Sequence, residues 1–488
     1  MSVRRSLLLI TIDCLRADHV GFLGYERSTT SFLDSLAARS VVMGNAIVAG
    51  APTYYSFPPM MASRHPLALG RDVIGLSPGE TTIASVLKES GYATAAFVAG
   101  NPYLSKQFGY ESGFDTFRDF QDSGTGALSE SEEKKFQLRS RLNRFLSDVF
   151  HKLGLVGPAY DEIYFQYCQR IANAPESFDD LRRFPAAEII VDHARTWLTD
   201  AADQPFFLWL HFMDPHSPYY PKEEALALLQ TDGMNSFRAR YLNSLWNRSD
   251  IGSSRLKKHL EGVTSLYDAG IRWVDTQIER LVDTLRTLGK WDNCVFALTA
   301  DHGEEFLDHG GRYHAPSKIT EELIRVPLLV HAPTVDKAQR GDSPFSLLDL
   351  APTLLDAMNC PVPGSFRGRS RWSQMQKANP WEEPAIVECV AGCTNPFHLE
   401  NRMGPRILGI REKRYKLVLD FADSTEHMFD LKNDVAELYP LGMDEQRPTR
   451  KRLLQCAYKH LAESTQSRDP DQRLTAQLRD LQLELAHS

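Results

Sequence analysis

Four apolar runs in this chain stop at side chains of a different character. "LLLITI" runs into Asp13, "TAAFVAG" into Asn101, "FFLWL" into the segment His211 to His216, and "VFALTA" into Asp301 and His302. Short runs that are apolar at nearly every position, rather than at alternate ones, read as strands buried on both faces. "VVMGNAIV" reads as a further strand or extended segment. Between them lie helical patterns: "TTSFLDSLAARS" with Thr or Ser capping, "TTIASVLKESG" ended by Gly91, and "YDAGIRWVDTQIERLVDTLRTLGK", whose Ile271, Val274, Ile278, Leu281 and Leu285 form one stripe ended by Gly289. This alternation predicts an α/β fold on a doubly wound, mainly parallel sheet, in which ligands sit beyond the carboxyl ends of the strands. Any one of the four polar groups is explained as a loop residue satisfying its neighbours. All four together point to one crevice furnished with acids, imidazoles and an amide.

At 488 residues, 42% hydrophobic and 24% charged, the chain has enough apolar material for one large α/β domain and a smaller appendage. The expected division is a catalytic α/β domain over 1–385 with a helical insertion at 120–185, a small antiparallel β subdomain over 386–446, and a helical tail over 447–488. "RILGIREKRYKLVLDF" and "HMFDLKNDVAELYPL" supply the strands of the subdomain, and "RDPD" splits the tail into two helical patterns. The insertion carries an amphipathic basic stretch, "EEKKFQLRSRLNRFLSDVFHKLGL", read as a solvated helix packed on the body, with a lid, a membrane-surface helix or an oligomer contact as alternatives. Homo-oligomers through the insertion or the tail stay open.

The net charge of -8 leaves no electrostatic footprint for nucleic acid, so a small anionic substrate needs local cations such as a bound metal. The opening "MSVRRSLLLITIDCLRADH" has too short an apolar run and no small-residue cleavage site for a signal peptide. No run approaches the roughly 18 apolar residues of a membrane span. Seven scattered cysteines form neither a disulfide framework nor a paired metal spacing, and cytoplasmic residence is the default expectation.

In "TADHGEE", Asp301 and His302 are adjacent at a strand end, where a turn lets both reach one centre. A carboxylate and an imidazole suit Mn, Zn or Fe, and less often Ca or Mg. Asp13 supplies a second acid. "APTYYSFPPMMASRHPLALG" adds Thr53, either a hydroxyl that opens a helix or, on a metal that lowers its pKa, a nucleophile.

"ITIDCLRADHVGFLGYERSTTSFLDSLAARSVVMGNAIV", "TTIASVLKESGYATAAF", "TADHGEEFLDHGG", "EELIRVPLLVHAP", "DLAPTLLDAMNCPVPGSFRGRS" and "HMFDLKNDVAELYPL", in this order, resemble the sulfatase family within the alkaline phosphatase superfamily, over roughly residues 5 to 445 without the insertion. The resemblance implies the fold above and a metal-dependent ester hydrolase site, with Asp13, Thr53, Asp301 and His302 as ligands. Mn or Zn is favoured by His302, with Ca and Mg left open. Sulfatases carry Cys or Ser in C/S-x-P-x-R, oxidised to formylglycine. Here Thr53 stands at that position, Tyr55 where the proline is and Phe57 where the arginine is. Threonine oxidation would give a ketone, so no formylglycine is expected. Ser56 is a rival hydroxyl, but it lies three residues late and has Met60 in the arginine's place.

A metal-bound threonine is what the superfamily's phosphodiesterases, nucleotide pyrophosphatases and phospho-headgroup transferases use. The expected function is hydrolysis of a phosphodiester or phosphonate monoester through Thr53. A conventional sulfatase is the first alternative, a headgroup transferase the second, and a non-catalytic binding protein the reading from another class. In place of the family's G-K-x-H lysine and histidine stand Asn101 and Tyr103, expected to touch substrate, with a turn role as the alternative for Asn101. His216 matches a leaving-group or substrate histidine and is expected as general acid. His211 and Asp214 contact substrate, build a second metal site or fix the loop, with the structural role preferred. His314 lies near the position of a sulfatase lysine, with Lys318 as its rival. Cys14 replaces a second acid and reads as a small buried filler, and Arg16 and Asp18 as a structural pair.

Overall fold

The computed structural model describes residues 4–71, 73–121, 162–163, 165–166, 177–200 and 204–464. Most of the expected insertion at 120–185 and the second helical pattern of the tail lie outside the described residues.

The apolar runs form β1 (Ser6–Ile12), β2 (Val41–Ile47), β3 (Ala93–Val98), β4 (Thr116–Arg118), β5 (Phe206–Phe212) and β6 (Cys294–Ala300). A short hairpin of β7 (Glu305–Phe306) and β8 (Arg312–Tyr313) follows, then β9 (Arg325–His331), β10 (Gln339–Gly341) and β11 (Phe345–Ser346). Nine strands make the central sheet in the order β10-β2-β9-β6-β1-β5-β3-β4, with β11 also on β2. β1, β3, β5 and β6 are buried at every residue, as expected of strands covered on both faces. β6, β1, β5 and β3 are neighbours in that order, so the four strand ends singled out in the sequence lie side by side.

The sheet is mainly parallel, with one reversal: β9 runs antiparallel to both β2 and β6. A parallel neighbour needs a helical crossover, and the chain between β6 and β9 holds only the hairpin and the short helix Glu321–Ile324. The helix Ile83–Glu89 opens with a capping box between Thr82 and Ser85. The helix Leu260–Thr287 buries Ile271, Val274, Ile278, Leu281 and Leu285, and Gly289 follows it at a φ of 67°. One capping expectation fails: Thr30 stands before the helix Ser31–Ala37 but makes no side-chain cap, because its hydroxyl donates to Asp34 Oδ1 at 2.8 Å.

β12 (Ala385–Val390), β13 (Arg406–Arg411), β14 (Tyr415–Asp420) and β15 (Thr425–Asp430) form a separate antiparallel sheet in that order. The helix Arg447–Ser464 covers it, with Leu453 and Ala457 packed on Leu408, Ile410, Leu417 and Met428. A bridge from Gly50 to Glu388 ties this sheet to the segment that enters Thr53.

The turn after β6 has room for no side chain at Gly303. A Cβ there would stand 1.8 Å from the Glu322 carbonyl oxygen, while the Gly303 N–H donates to Leu323 O at 2.9 Å. Gly303→Ala is therefore expected to destabilise the fold by about 1–3 kcal/mol or more in urea unfolding. A change within about 0.5 kcal/mol would show that the turn yields freely.

Candidate active site

Register places the two acids. Ile12 of β1 pairs with Ala300 of β6 and with Phe212 of β5, so Asp13 and Asp301 leave the sheet next to each other. Both carboxylates and the His302 imidazole are fully buried, and one donor atom from each lies within 4.8 Å of the others. His302 Nε2 stands 3.8 Å from Asp13 Oδ1 and 3.4 Å from Asp301 Oδ2. Into this group comes Thr53, whose hydroxyl donates to Asp301 Oδ2 at 2.8 Å and lies 3.1 Å from His302 Nε2.

Thr53 is not a helix cap. It is the first residue of the wholly buried helix Thr53–Ala62, and Pro52 holds the capping position. The positive end of that helix dipole therefore lies at Thr53, where it favours an anion. Ser56, the rival hydroxyl, donates back to the Thr53 carbonyl at 3.2 Å.

Two of the expected substrate contacts turn out to support Asp13. Asn101 donates through its amide to Asp13 Oδ2 at 2.9 Å, lies 3.5 Å from Met213 Sδ, and accepts the Tyr103 N–H at 3.0 Å. Its donors are engaged by the protein, so it holds the carboxylate rather than offering a free amide, and its turn role is real as well. His211 is fully buried, with Nδ1 3.0 Å from Thr11 Oγ1 and Nε2 3.4 Å from Asp13 Oδ2. It lies against Asp13, in keeping with the structural role preferred for it. Asp214 turns away to Arg182 at 3.0 Å, so no second metal site forms from His211 and Asp214 among the described residues.

Tyr103 is half-buried and lies edge-on to Tyr54 at 5.2 Å between ring centroids, and 5.5 Å from Phe397. His216 and His314 face each other at 5.2 Å, and His314 lies 4.5 Å from the His302 ring. Lys318 is committed elsewhere, to Glu305 at 2.6 Å, which leaves His314 as the basic group in this part of the site. Arg16 and Asp18 pair at 2.7 Å as expected, and Arg16 also grips Asp308.

Glu304 and Tyr267 were not singled out by pattern, and Cys14 was given a different role. Glu304 is fully buried and receives the Tyr219 hydroxyl at 2.6 Å, with His314 Nδ1 at 2.8 Å. Its signal was present in "TADHGEE", but nothing separates it there from Glu305. Cys14 is polar in use rather than a filler: its thiol donates to Asp13 Oδ1 at 3.0 Å and its N–H to Asp301 Oδ1 at 3.3 Å. Cys14 adopts a φ of 60°, held by the Tyr267 hydroxyl, which donates to the Cys14 carbonyl at 2.6 Å and accepts the Arg16 N–H at 2.9 Å.

Burial works against charge on every one of these groups, and the neighbours decide the outcome. For Asp13, burial is outweighed by His216, His211 and His302, which hold it well below the usual carboxylate range. Asp301 is pushed up by burial and by Asp13. His216 is pushed down, chiefly by burial. His314 is pushed up to about 9, because Glu304 overcomes the burial penalty. Burial and the carboxylates of Glu304 and Asp13 raise the Cys14 thiol, which keeps its proton.

Two dry carboxylates at this range repel each other, and partly buried charge of one sign is costly without a counter-ion. The donor set of Asp13, Asp301 and His302, with Thr53 at hydrogen-bond distance, fits a divalent metal, and the imidazole suits Mn or Zn.

A buried acid pair at the strand ends of such a sheet, beside a hydroxyl on a helix N-terminus, is an arrangement suited to metal-assisted ester hydrolysis. Residues 5–360 match the sulfatase family and residues 312–464 match the C-terminal part of N-sulphoglucosamine sulphohydrolase, so the chain belongs to the sulfatase family. Among curated proteins it is 24% identical over 473 residues to an arylsulfatase of Clostridium perfringens (91% of both chains), and 21% identical over 484 residues to the multifunctional alkaline phosphatase superfamily protein PehA of Trinickia caryophylli (90% and 92%). Its fold is similar to that of a protein solved with its substrate D-glucosamine-2-N,6-O-disulfate (TM-score 0.70, 17% identity, 96% and 99% coverage). It is also similar to the phosphonate monoester hydrolase of Agrobacterium radiobacter (TM-score 0.66, 19% identity, 95% and 96% coverage).

The raised His314 value has a sign that can be measured. Its pairing with Glu304 contributes stability fully present below about pH 6.5 and lost as pH rises through about 9. In metal-stripped protein, the stability gap between wild type and Glu304→Gln is expected to narrow across that interval. A gap independent of pH would mean that His314 is not held charged by Glu304.

Proposed function

We propose that this sulfatase-family enzyme hydrolyses small anionic phosphate esters, either phosphodiesters or phosphonate monoesters, with Thr53 Oγ as the nucleophile. The observation that supports it best is the Thr53 hydroxyl, fixed between Asp301 Oδ2 at 2.8 Å and His302 Nε2 at 3.1 Å on a helix N-terminus. Asp13, Asp301, His302 and Thr53 would hold the metal, which when bound lowers the pKa of the hydroxyl and offsets charge on the phosphoryl oxygens.

The side chains divide the remaining work. The Thr53 proton passes towards Asp301 Oδ2 as Oγ attacks phosphorus in line. The new Oγ–P bond forms while the ester P–O bond breaks, and its electron pair leaves on the alcohol oxygen. His314, kept charged by Glu304, supplies the proton that this oxygen takes up, and His216 opposite it contacts the phosphoryl group or takes the acid role itself. Water then attacks phosphorus of the Thr53 ester and passes a proton to the imidazole; the Oγ–P bond breaks, Thr53 Oγ takes its proton back from Asp301, and the product is a phosphate monoester from a diester or a free phosphonate from a phosphonate monoester. Asn101 and His211 keep Asp13 in place, and Tyr103, packed beside Phe397, is assigned to substrate contact.

Sulfate ester hydrolysis is the second reading, and the arylsulfatase likeness over 91% of the chain favours it. Against it stands Thr53, which lacks the second hydroxyl of a formylglycine hydrate and so offers no elimination route for a sulfated intermediate. The two readings separate in a metal-reconstituted panel of aryl phosphate monoester, diester, phosphonate and sulfate. The expected outcome is a dominant phosphoryl or phosphonyl rate that falls about a thousandfold or more in Thr53→Ala and partly survives in Thr53→Ser. A dominant sulfate rate removes the phosphoryl assignment, and undiminished turnover in Thr53→Ala removes the nucleophile.

A further inference from the structure

Away from Asp13, two buried side chains from two elements meet a partly buried one from a loop. His65 follows the helix Thr53–Ala62, Glu388 lies in β12, and His460 lies in the helix Arg447–Ser464. Glu388 is fully buried and His460 is 5% exposed. One donor atom from each of the three lies within 4.8 Å of the others. His460 Nε2 stands 2.6 Å from Glu388 Oε1, and the two imidazole rings meet edge-on at 4.5 Å.

The cluster is incompletely satisfied. His65 Nδ1 is buried and has no hydrogen-bond partner among the described residues, an expense that a native interior avoids unless something fills it. Two imidazoles and one carboxylate are a donor set for a borderline metal, since oxygen-seeking Ca and Mg would find a single carboxylate. Burial pushes His65 down to about 4, and His460, Arg367 and Arg406 contribute to this against the opposite pull of Glu388. Its ring is therefore neutral at physiological pH, the form that ligates.

The carboxylate has two further partners. Arg406 lies 3.3 Å from Glu388 Oε1, and the Leu67 N–H lies 3.4 Å from Oε2. The arginine costs the site some affinity, and it also pins the carboxylate, as groups around metal ligands commonly do. Three protein donors leave the fourth position of a tetrahedral zinc for water.

We propose that His65, Glu388 and His460 form a second metal site, of zinc type, which clamps the C-terminal helix and β12 to the loop behind the Thr53 helix. The site is independent of the metal centre at Asp13. Its place is structural: it fixes the far end of the helix whose first residue is Thr53.

The test uses the full-length protein, stripped with a chelator and re-equilibrated with Zn²⁺ alone, then assayed for bound zinc by elemental analysis and for its melting temperature. His65→Gln and His460→Gln are each expected to hold about one equivalent less than wild type, and His65→Gln to lose most of the zinc-dependent rise in melting temperature. Asp301→Asn is expected to keep that equivalent and that rise, whatever it loses at the catalytic centre. Equal zinc and equal thermal response in wild type and both histidine variants would overturn the proposal. Should His460→Gln fail to fold, His65→Gln decides alone, since its Nδ1 makes no bond in the metal-free protein. Failure of the catalytic metal would appear only as an unchanged zinc content in Asp301→Asn.

Discussion

The structure turns on the forced proximity of two buried carboxylates. Asp13 and Asp301 sit at the ends of adjacent parallel strands, and the Ile12–Ala300 register leaves them no freedom to separate. Neither has solvent to share its charge with. Histidines at 211, 216 and 302 hold Asp13 ionised, but Asp301 remains pushed up by burial and by its neighbour. A divalent cation removes this conflict in one step. The fold thus creates a demand for a metal at the same point where Thr53 delivers a hydroxyl.

What surrounds the pair explains why so many polar groups survive in a dry place. Asn101, Cys14 and His211 each spend a donor or a ring nitrogen on Asp13. Tyr267 locks the left-handed turn at Cys14 that separates the acid from Arg16. On the other side, Tyr219 and Glu304 fix His314, so a cationic imidazole faces the acids across the site. One wall is anionic and calls for a metal; the other carries His314, paired with Glu304, beside His216. An ordinary hydroxyl between them has the surroundings of a nucleophile.

Much of this was legible in the sequence. The strands were legible because they are apolar on both faces, and the site because its polar residues interrupt those runs at their ends. Asp13, Asp301 and His302 stand at the ends of such runs, whereas Thr53 was singled out as nucleophile by the resemblance to the sulfatase family. The reversed β9 was not legible, since a buried strand carries the same apolar pattern in either direction. Asn101 and His211 were placed at the site, but their contacts with Asp13 were not legible, because sequence position does not say which face of Asp13 a side chain reaches. Glu304 and Tyr267 were passed over, and Cys14 was read as a filler, for a related reason. A glutamate beside another glutamate, a cysteine in a strand exit and a tyrosine in an apolar helix stripe look ordinary until the fold makes them the partners of a charge.

The claim on which the account stands is a covalent bond at Thr53. Acid quenching of the metal-loaded enzyme during turnover of an aryl phosphodiester, followed by mass spectrometry of the peptide that spans Thr53 and Ser56, tests it most directly. The account predicts the added mass of one phosphoryl ester on Thr53, absent in Thr53→Ala, and an unmodified Ser56. An oxidised Ser56, or a phosphoryl group on any other residue in a protein that turns over, would contradict it.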